Sequence, residues 1–149
     1  MESVKNLVVA LDLSPASWEI IEQASALYSP PEGRHIWLLH IAQPDADFIG
    51  YEPSPRSERD VQASTLHHEH QTLQTLAERV RETGAQCTAL QIQGAYVDKI
   101  LEEAEKLNAD LIAVGSHGKG VIKQLLLGST SNTLVRLSQI PILVIPTHD

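Results

Sequence analysis

The chain carries a single cysteine, Cys87, so no disulfide can form within it, and a reducing compartment such as the cytoplasm is the simplest setting. No apolar run reaches the roughly 18 residues needed to span a bilayer, so insertion in a membrane is not expected. The opening Met1-Glu2-Ser3-Val4-Lys5 leads straight into a strand-like run. It lacks a basic segment followed by a cleavable apolar one, and no signal peptide is read there. Basic residues are also scarce. Eleven Lys and Arg stand against nineteen Asp and Glu, for a formal net charge of −8, and nothing in the sequence gathers them into a patch. A nucleic-acid binder would ordinarily show a basic face, so that class is not expected, and the acidity serves solubility.

What is present is ample apolar material. At 149 residues and 42 % hydrophobic content, the chain suits one domain over residues 1–149 with a full core. Short apolar runs alternate with longer periodic segments. Val4 to Leu11 reads as a buried strand. Ser14-Pro15 then offers an N-cap with proline at the first helical position, and Ile20, Ile21, Ala24, Leu27 and Tyr28 share a helical face. Pro30-Pro31-Glu32-Gly33 stops that helix, and His35 to Ile41 is a second strand. Residues 43 to 56 hold Pro44, Pro53, Pro55 and Gly50 among polar neighbours, a long loop of the kind that is often functional or mobile. A helix from about Ser57 to Glu82 carries an inward stripe of Leu66, Leu73, Leu76, Ala77 and Val80, with Thr83-Gly84 as its stop. Gln86 to Gln93 is a third strand. Gly94 opens a third helix with Val97, Ile100, Leu101, Ala104 and Leu107 at helical spacing. Asp110 to Val114 is a fourth strand, Gly115 to Leu127 a glycine-rich loop, Ser129 to Leu137 a fourth helix and Ile140 to Ile145 a fifth strand. Strands alternating with helices of this length predict an α/β fold, a five-stranded parallel sheet wound on both faces by four helices through right-handed crossovers.

The stretch from Gly115 to Ser131 carries the chemistry. It is not a P-loop: Gly115 and Gly120 have the four-residue gap, but Val121-Ile122 follows where Lys-Ser/Thr is required. The dinucleotide fingerprint is missing too, because the first strand runs into Asp12-Leu13-Ser14-Pro15 without a glycine. What remains is still specific. Gly115 and Gly118 follow the carboxyl end of a predicted strand, where bare backbone can turn through positive φ or approach a ligand. Gly128-Ser129-Thr130-Ser131 begins a predicted helix, where free N–H groups, the helix dipole and hydroxyls suit phosphate. Lys119 and Lys123 lie between and offer compensating charge. The bland alternative is equally open on these residues: a glycine turn after a strand, and a Ser/Thr cap before a helix. Asp12 has two readings as well, as a partner for a sugar hydroxyl or as a cap near Ser14.

The spacing Gly115, two residues, Gly118, nine residues, Gly128-Ser129 resembles the ATP-binding signature of the universal stress protein family. The likeness extends over nearly the whole chain. Asp110 to Gly118 resembles that family's fourth strand and turn, Leu127 to Ser131 its phosphate segment, and Ile140 to Ile145 its closing strand. Val8 to Ser14 and Leu38 to Ile41 resemble its first two strand motifs. The resemblance implies strand order 3-2-1-4-5 in an adenine nucleotide alpha hydrolase-like fold, with ATP, AMP or another adenine nucleotide lying across the ends of the first and fourth strands. Carried over by motif position, Asp12 meets the ribose or a phosphate-bound Mg²⁺. Ala10 and Ile41 line the adenine site, Ile41 through its backbone. Val114 and Gly115 border the ribose and phosphates, and Gly118, Gly128, Ser129, Thr130 and Ser131 hold the phosphates. Ala10 and Val114 are looser matches to the family pattern. A homodimer through Ile142 to Ile145 is implied as well, and an apolar edge strand of that kind needs a cover.

Three functions follow as expectations: a nucleotide-dependent regulatory module of the stress response; a slow ATPase or phosphotransferase, with Asp12 on Mg²⁺ and His117 orienting water; or a partner protein that uses the fold without ligand. The loop shows no paired carboxylates and no nucleophile–base pair, which favours the first over the second. The glycine spacing counts against the third. Elsewhere, His67, His68 and His70 read as a solvated helical face, since Glu69 alone accompanies them and points elsewhere. His40 reads as a packed strand-end residue, Cys87 as a small core residue, and Trp18 and Trp37 as packing.

Overall fold

The computed structural model describes residues 4–27, 34–42, 56–116 and 129–147, with side chains for all of these except 56–62, 129 and 130. Among the described residues the chain alternates strictly between strand and helix: β1 (Asn6–Leu11), α1 (Ser17–Ala26), β2 (His35–Ala42), α2 (Arg56–Arg81), β3 (Gln86–Gln93), α3 (Tyr96–Lys106), β4 (Leu111–Gly115), α4 (Ser129–Leu137) and β5 (Ile142–Ile145). The strands form one sheet in the order β3-β2-β1-β4-β5, and every pairing is parallel.

The apolar runs explain why the sheet is covered on both faces. Side chains alternate along a strand, so a run such as Leu7-Val8-Val9-Ala10-Leu11 supplies both sides at once. Leu7, Val9 and Leu11 pack with Ile36, Leu38 and Ala113 beneath Ile20, Ile21 and Ala24 of α1 and Leu73, Ala77 and Val80 of α2. Val8 and Ala10 pack with Leu39, Ile41, Ile112 and Val114 beneath Ile100 and Ala104 of α3 and Leu134 of α4. The predicted inward stripe of α3 is the one the fold uses, and in α2 Leu73, Leu76, Ala77 and Val80 join the core while Leu66 does not.

Local departures have local causes. The helix expected to begin at Ser14-Pro15 begins at Ser17, and its cap position, Ala16, provides no side-chain bond. Ser14 is committed to the turn instead: its N–H donates to Asp12 Oδ1 at 2.9 Å, and its own Oγ accepts the Ala16 N–H at 3.3 Å. Leu27, expected on the buried face, is 59 % exposed, because α1 stops at Ala26 and its periodicity stops with it. Tyr28, Pro30-Pro31-Glu32-Gly33 and the stretch 43–55 lie outside the described residues, and Arg56 already opens α2. The Thr83-Gly84 stop is real: Gly84 has φ 96°, and the N–H groups of Thr83 and Gly84 donate to the carbonyls of Val80 and Arg81. The fifth strand starts at Ile142 rather than Ile140. Ser138 Oγ accepts the Ile140 N–H at 3.0 Å and donates to the Ile140 carbonyl at 2.7 Å, which holds Ile140 in the turn. The fourth strand starts at Leu111, after Asp110, whose Oδ2 accepts the N–H groups of Lys5 and Asn6 at 3.0 and 2.8 Å and secures the entry to β1.

Candidate functional site

Strand order reverses between β1 and β4, and this is where open α/β sheets form a ligand crevice. The register shows how the crevice opens here. Pairing between β1 and β4 runs from Leu7 beside Leu111 to Val9 beside Ala113. Beyond that point each strand follows its outer neighbour: Ala10 beside Leu39 and Leu11 beside His40 on one side, Val114 beside Val144 and Gly115 beside Ile145 on the other. The two strands diverge from Ala10 and Val114 onward, so the sheet itself makes the cleft.

Ala10, Ile41 and Val114 lie on the face covered by α3 and α4, and each is only 3 % exposed. Their side chains are core, so what they can present to a ligand is mainly backbone. For Ile41 that is the role the family likeness implies; for Ala10 and Val114 it replaces a side-chain lining. Asp12 follows directly at the mouth, half-buried. One carboxylate oxygen holds the turn through Ser14, and Leu13 beside it takes φ 61°. A leucine in the left-handed region is an uncommon, strained conformation that its surroundings must enforce. Asp12 therefore braces the turn that aims it, rather than capping α1.

The opposite wall is tied from two directions. Gly115 carbonyl accepts the Ser131 hydroxyl at 3.2 Å, which joins the end of β4 to the first turn of α4. The Ser116 N–H donates to the Ile145 carbonyl at 2.8 Å, and Ser116 Oγ accepts the Thr147 N–H at 3.1 Å. Two segments that bracket the glycine-rich loop, at Gly115 and Ser131, are thus adjacent. Ser131 is 4 % exposed and engaged with Gly115, so its hydroxyl serves the framework. Gly115 does not need positive φ; among the glycines that do are Gly84 and Gly94. Its reason is packing: a Cβ there would lie 2.8 Å from Ile20 Cδ1 and 3.1 Å from Thr147 Cγ2. Ser129 and Thr130 open α4 at the crevice, a helix N-terminus of the kind that suits anions. Gly118 and Gly128, with His117, Lys119 and Lys123, lie outside the described residues.

One neighbour of Asp12 was not legible in the sequence. Tyr96, the first residue of α3, packs half-buried against the core face that holds Ala10, Ile41 and Val114. Burial, with the Asp12 charge adding to it, pushes its phenol up to about 12, so the hydroxyl keeps its proton. Only proximity of residues 84 positions apart reveals this pair, though an aromatic opening a helix at the carboxyl edge of a parallel sheet is a usable signal.

The remaining candidates resolve as structure. His40 is 7 % exposed. Its Nδ1 donates to the Leu11 carbonyl at 3.0 Å, and its Nε2 lies 2.6 Å from Glu69 Oε2. That draws Glu69 inward, away from His67, His68 and His70, which are exposed along α2. Trp18 donates to Glu22 and lies under the Arg79 guanidinium, while Trp37 stacks on His35 at 3.8 Å; both are packing residues. Cys87 is buried, and burial pushes its thiol up to about 11 from 9.0. At pH 8 about one thiol in a thousand would be ionised, so native protein should resist iodoacetamide and react fully in urea; rapid native labelling would contradict this. The stability contributed by the neutral thiol is intact below about pH 9 and is lost as pH rises through about 11.

A doubly wound α/β domain with its cleft at the strand-order reversal, a carboxylate at the mouth and the first turn of a helix tied to the end of the opposite strand defines a ligand-binding class of fold. The comparison with known proteins narrows this. The universal stress protein family model matches residues 3–146, and the chain belongs to that family. Universal stress protein A homolog 1 of Coxiella burnetii is 27 % identical over 141 residues, covering 95 % of each chain. Among solved structures, MJ0577 of Methanocaldococcus jannaschii superposes with a TM-score of 0.83 at 20 % identity, covering 99 % of both chains. An Arabidopsis thaliana family protein solved with AMP bound gives 0.69 at 22 % identity, covering 97 % of this chain and 92 % of that one. A universal stress protein solved in complex with cAMP gives 0.66 at 22 % identity, covering 99 % and 100 %. The five-stranded order 3-2-1-4-5 is shared with this fold.

Proposed function

We propose that the chain binds an adenine nucleotide, ATP foremost, in the cleft between β1 and β4, and that occupancy makes it a nucleotide-dependent regulatory module of the stress response. The divergence of β1 and β4 after Val9 and Ala113, at the strand-order reversal, is the observation that carries this reading. Family proteins of the same fold hold AMP or cAMP, which supports adenosine as the common element and the ATP-binding branch of the family as the functional analogy. In this reading the backbone of Ala10, Ile41 and Val114 borders the adenine and ribose, Asp12 meets the ribose or a metal, and Gly115, Gly118, Gly128, Ser129, Thr130 and Ser131 surround the phosphates. The residues fit Mg²⁺. That ion favours one or two carboxylates plus substrate phosphates and water, and Asp12 is a half-exposed carboxylate with one oxygen committed to Ser14. Bound there, the ion would neutralise phosphate charge. We extend the reading to the cytoplasm, where a lone buried thiol is at home. We also extend it to a homodimer over β5, an edge strand whose Ile142, Leu143 and Val144 are only half-buried in one chain. Sedimentation velocity tests the dimer.

Mass spectrometry of nucleotide retained by the purified protein, followed by calorimetric titration with ATP, AMP and cAMP with and without Mg²⁺, tests the reading. Ligand at a hundred times its Kd should add about 2.7 kcal/mol to stability. Absence of any thermal shift with millimolar adenine nucleotide would sink it. Asp12 offers two separable variants. Asp12→Asn keeps an oxygen for the Ser14 N–H and removes the charge; stability should hold within about 0.5 kcal/mol, while Mg-ATP affinity falls about tenfold or more, as for a lost charge-assisted contact. Asp12→Ala removes both and should also cost about 1 kcal/mol of stability.

A further inference from the structure

Gly94 anchors the approach to Tyr96. Its N–H donates to the Ala42 carbonyl at 3.2 Å, one residue beyond Ile41, and it takes φ 149°. A Cβ at Gly94 would meet only the flexible Lys99 side chain, 2.7 Å from its Cε, so it is the positive φ that suits this turn to glycine. Ala95 is extended, and α3 starts at Tyr96. The turn therefore delivers an aromatic side chain to the carboxyl edge of the sheet, on the face where Ala10, Ile41 and Val114 form the floor beside the diverging strands. Among the described residues the phenol has no hydrogen-bond partner, although the ring packs against the core and the hydroxyl is within electrostatic reach of Asp12. A half-buried hydroxyl ordinarily finds a partner, and a bound ligand can supply it.

We propose that Tyr96 and Asp12 together read the sugar of the bound nucleotide, so that the cleft selects ribonucleotides over their deoxy analogues. This rests on the adenine-nucleotide reading of the same cleft. The chemistry is complementary. A carboxylate only accepts, and takes the proton of one ribose hydroxyl; a phenol both donates and accepts, and serves the adjacent hydroxyl. A phenol is protonated, hence a donor, throughout the neutral range, and burial with the Asp12 charge extends that to still higher pH. The ring packs on the α3 side of the sheet's carboxyl edge, which leaves the α4 end for the phosphates.

The test is titration of the full chain with ATP, 2′-deoxy-ATP and 3′-deoxy-ATP, in wild type, Tyr96→Phe and Asp12→Asn. Wild type should prefer ATP over at least one deoxy analogue by about tenfold, the scale of one well-made hydrogen bond. Tyr96→Phe keeps the ring and its packing, so its melting curve should match wild type. Its ATP affinity should fall about three- to tenfold toward that of the deoxy analogue, whose own affinity should not change. Loss of discrimination is a readout that a purely structural tyrosine would not move. If Tyr96→Phe keeps the wild-type preference, or wild type shows none, the sugar-reading role is wrong while the nucleotide reading stands. If wild type binds none of the three at millimolar concentration, both fall together.

Discussion

His40→Leu should lower stability by about 2–4 kcal/mol, a fall in thermal midpoint of roughly 6–12 °C for a domain of this size. The imidazole is buried between two oxygen partners, the Leu11 carbonyl at 3.0 Å and Glu69 Oε2 at 2.6 Å. A carbonyl can only accept, so Nδ1 carries a proton, and the contact to Glu69 is made by one further proton held on either Nε2 or the carboxyl. Leucine fills most of the volume but supplies neither donor. It leaves a partly buried carboxyl on α2 facing an apolar group and removes a bond from the residue that leads into Asp12. Glu69→Gln, which preserves a hydrogen-bonding group, should cost less, about 1 kcal/mol. Urea unfolding of the three proteins decides the matter. Equal midpoints for His40→Leu and wild type would mean that the ring is only filler.

The second large effect is expected at Gly115. Gly115→Ala should cost about 1–2 kcal/mol and Gly115→Val about 2–4 kcal/mol, by overpacking rather than by backbone strain. The obstacle is Ile20, itself 3 % exposed and enclosed under α1, with Thr147 on the other side. The Ile20 methyl cannot swing into open space without disturbing the core, whereas half-exposed Thr147 yields more readily. Ile20→Val deletes the δ-methyl that meets the new Cβ, so the double variant Gly115→Ala with Ile20→Val should recover about 1 kcal/mol relative to additivity. Strict additivity in denaturant titrations would show that the glycine is required for some other reason.

These two residues show where reading a sequence succeeds and where it stops. The sheet and its helices were legible because parallel strands buried on both faces are near-continuous apolar runs and because the helices carry apolar stripes, most fully in α3; α4 lies at Ser129–Leu137, as its pattern predicts. Gly115 was legible as important, but its reason was not. Loop glycines suggest freedom of φ or a ligand close by, whereas the constraint comes from Ile20, 95 residues earlier in the chain. The His40–Glu69 pair was invisible for the same cause: 29 residues separate partners that only the packing of α2 on the sheet brings together. Ser14 misled because Asp12 and Ser14 can serve a turn or a helix cap with the same atoms, and the turn won. Tyr96 carries no motif at all. The residues that locate the cleft could be named from the glycine spacing and family likeness, while those that shape it needed three dimensions.

The short seam between β1 and β4, from Leu7 to Val9, has a mechanical meaning. It divides the sheet into two leaves, β3-β2-β1 and β4-β5, and the first is far more extensively zipped within itself than to the second. An occupant lodged where the leaves separate would rivet them together, so that filling or emptying the gap changes how stiffly one half of the molecule is coupled to the other.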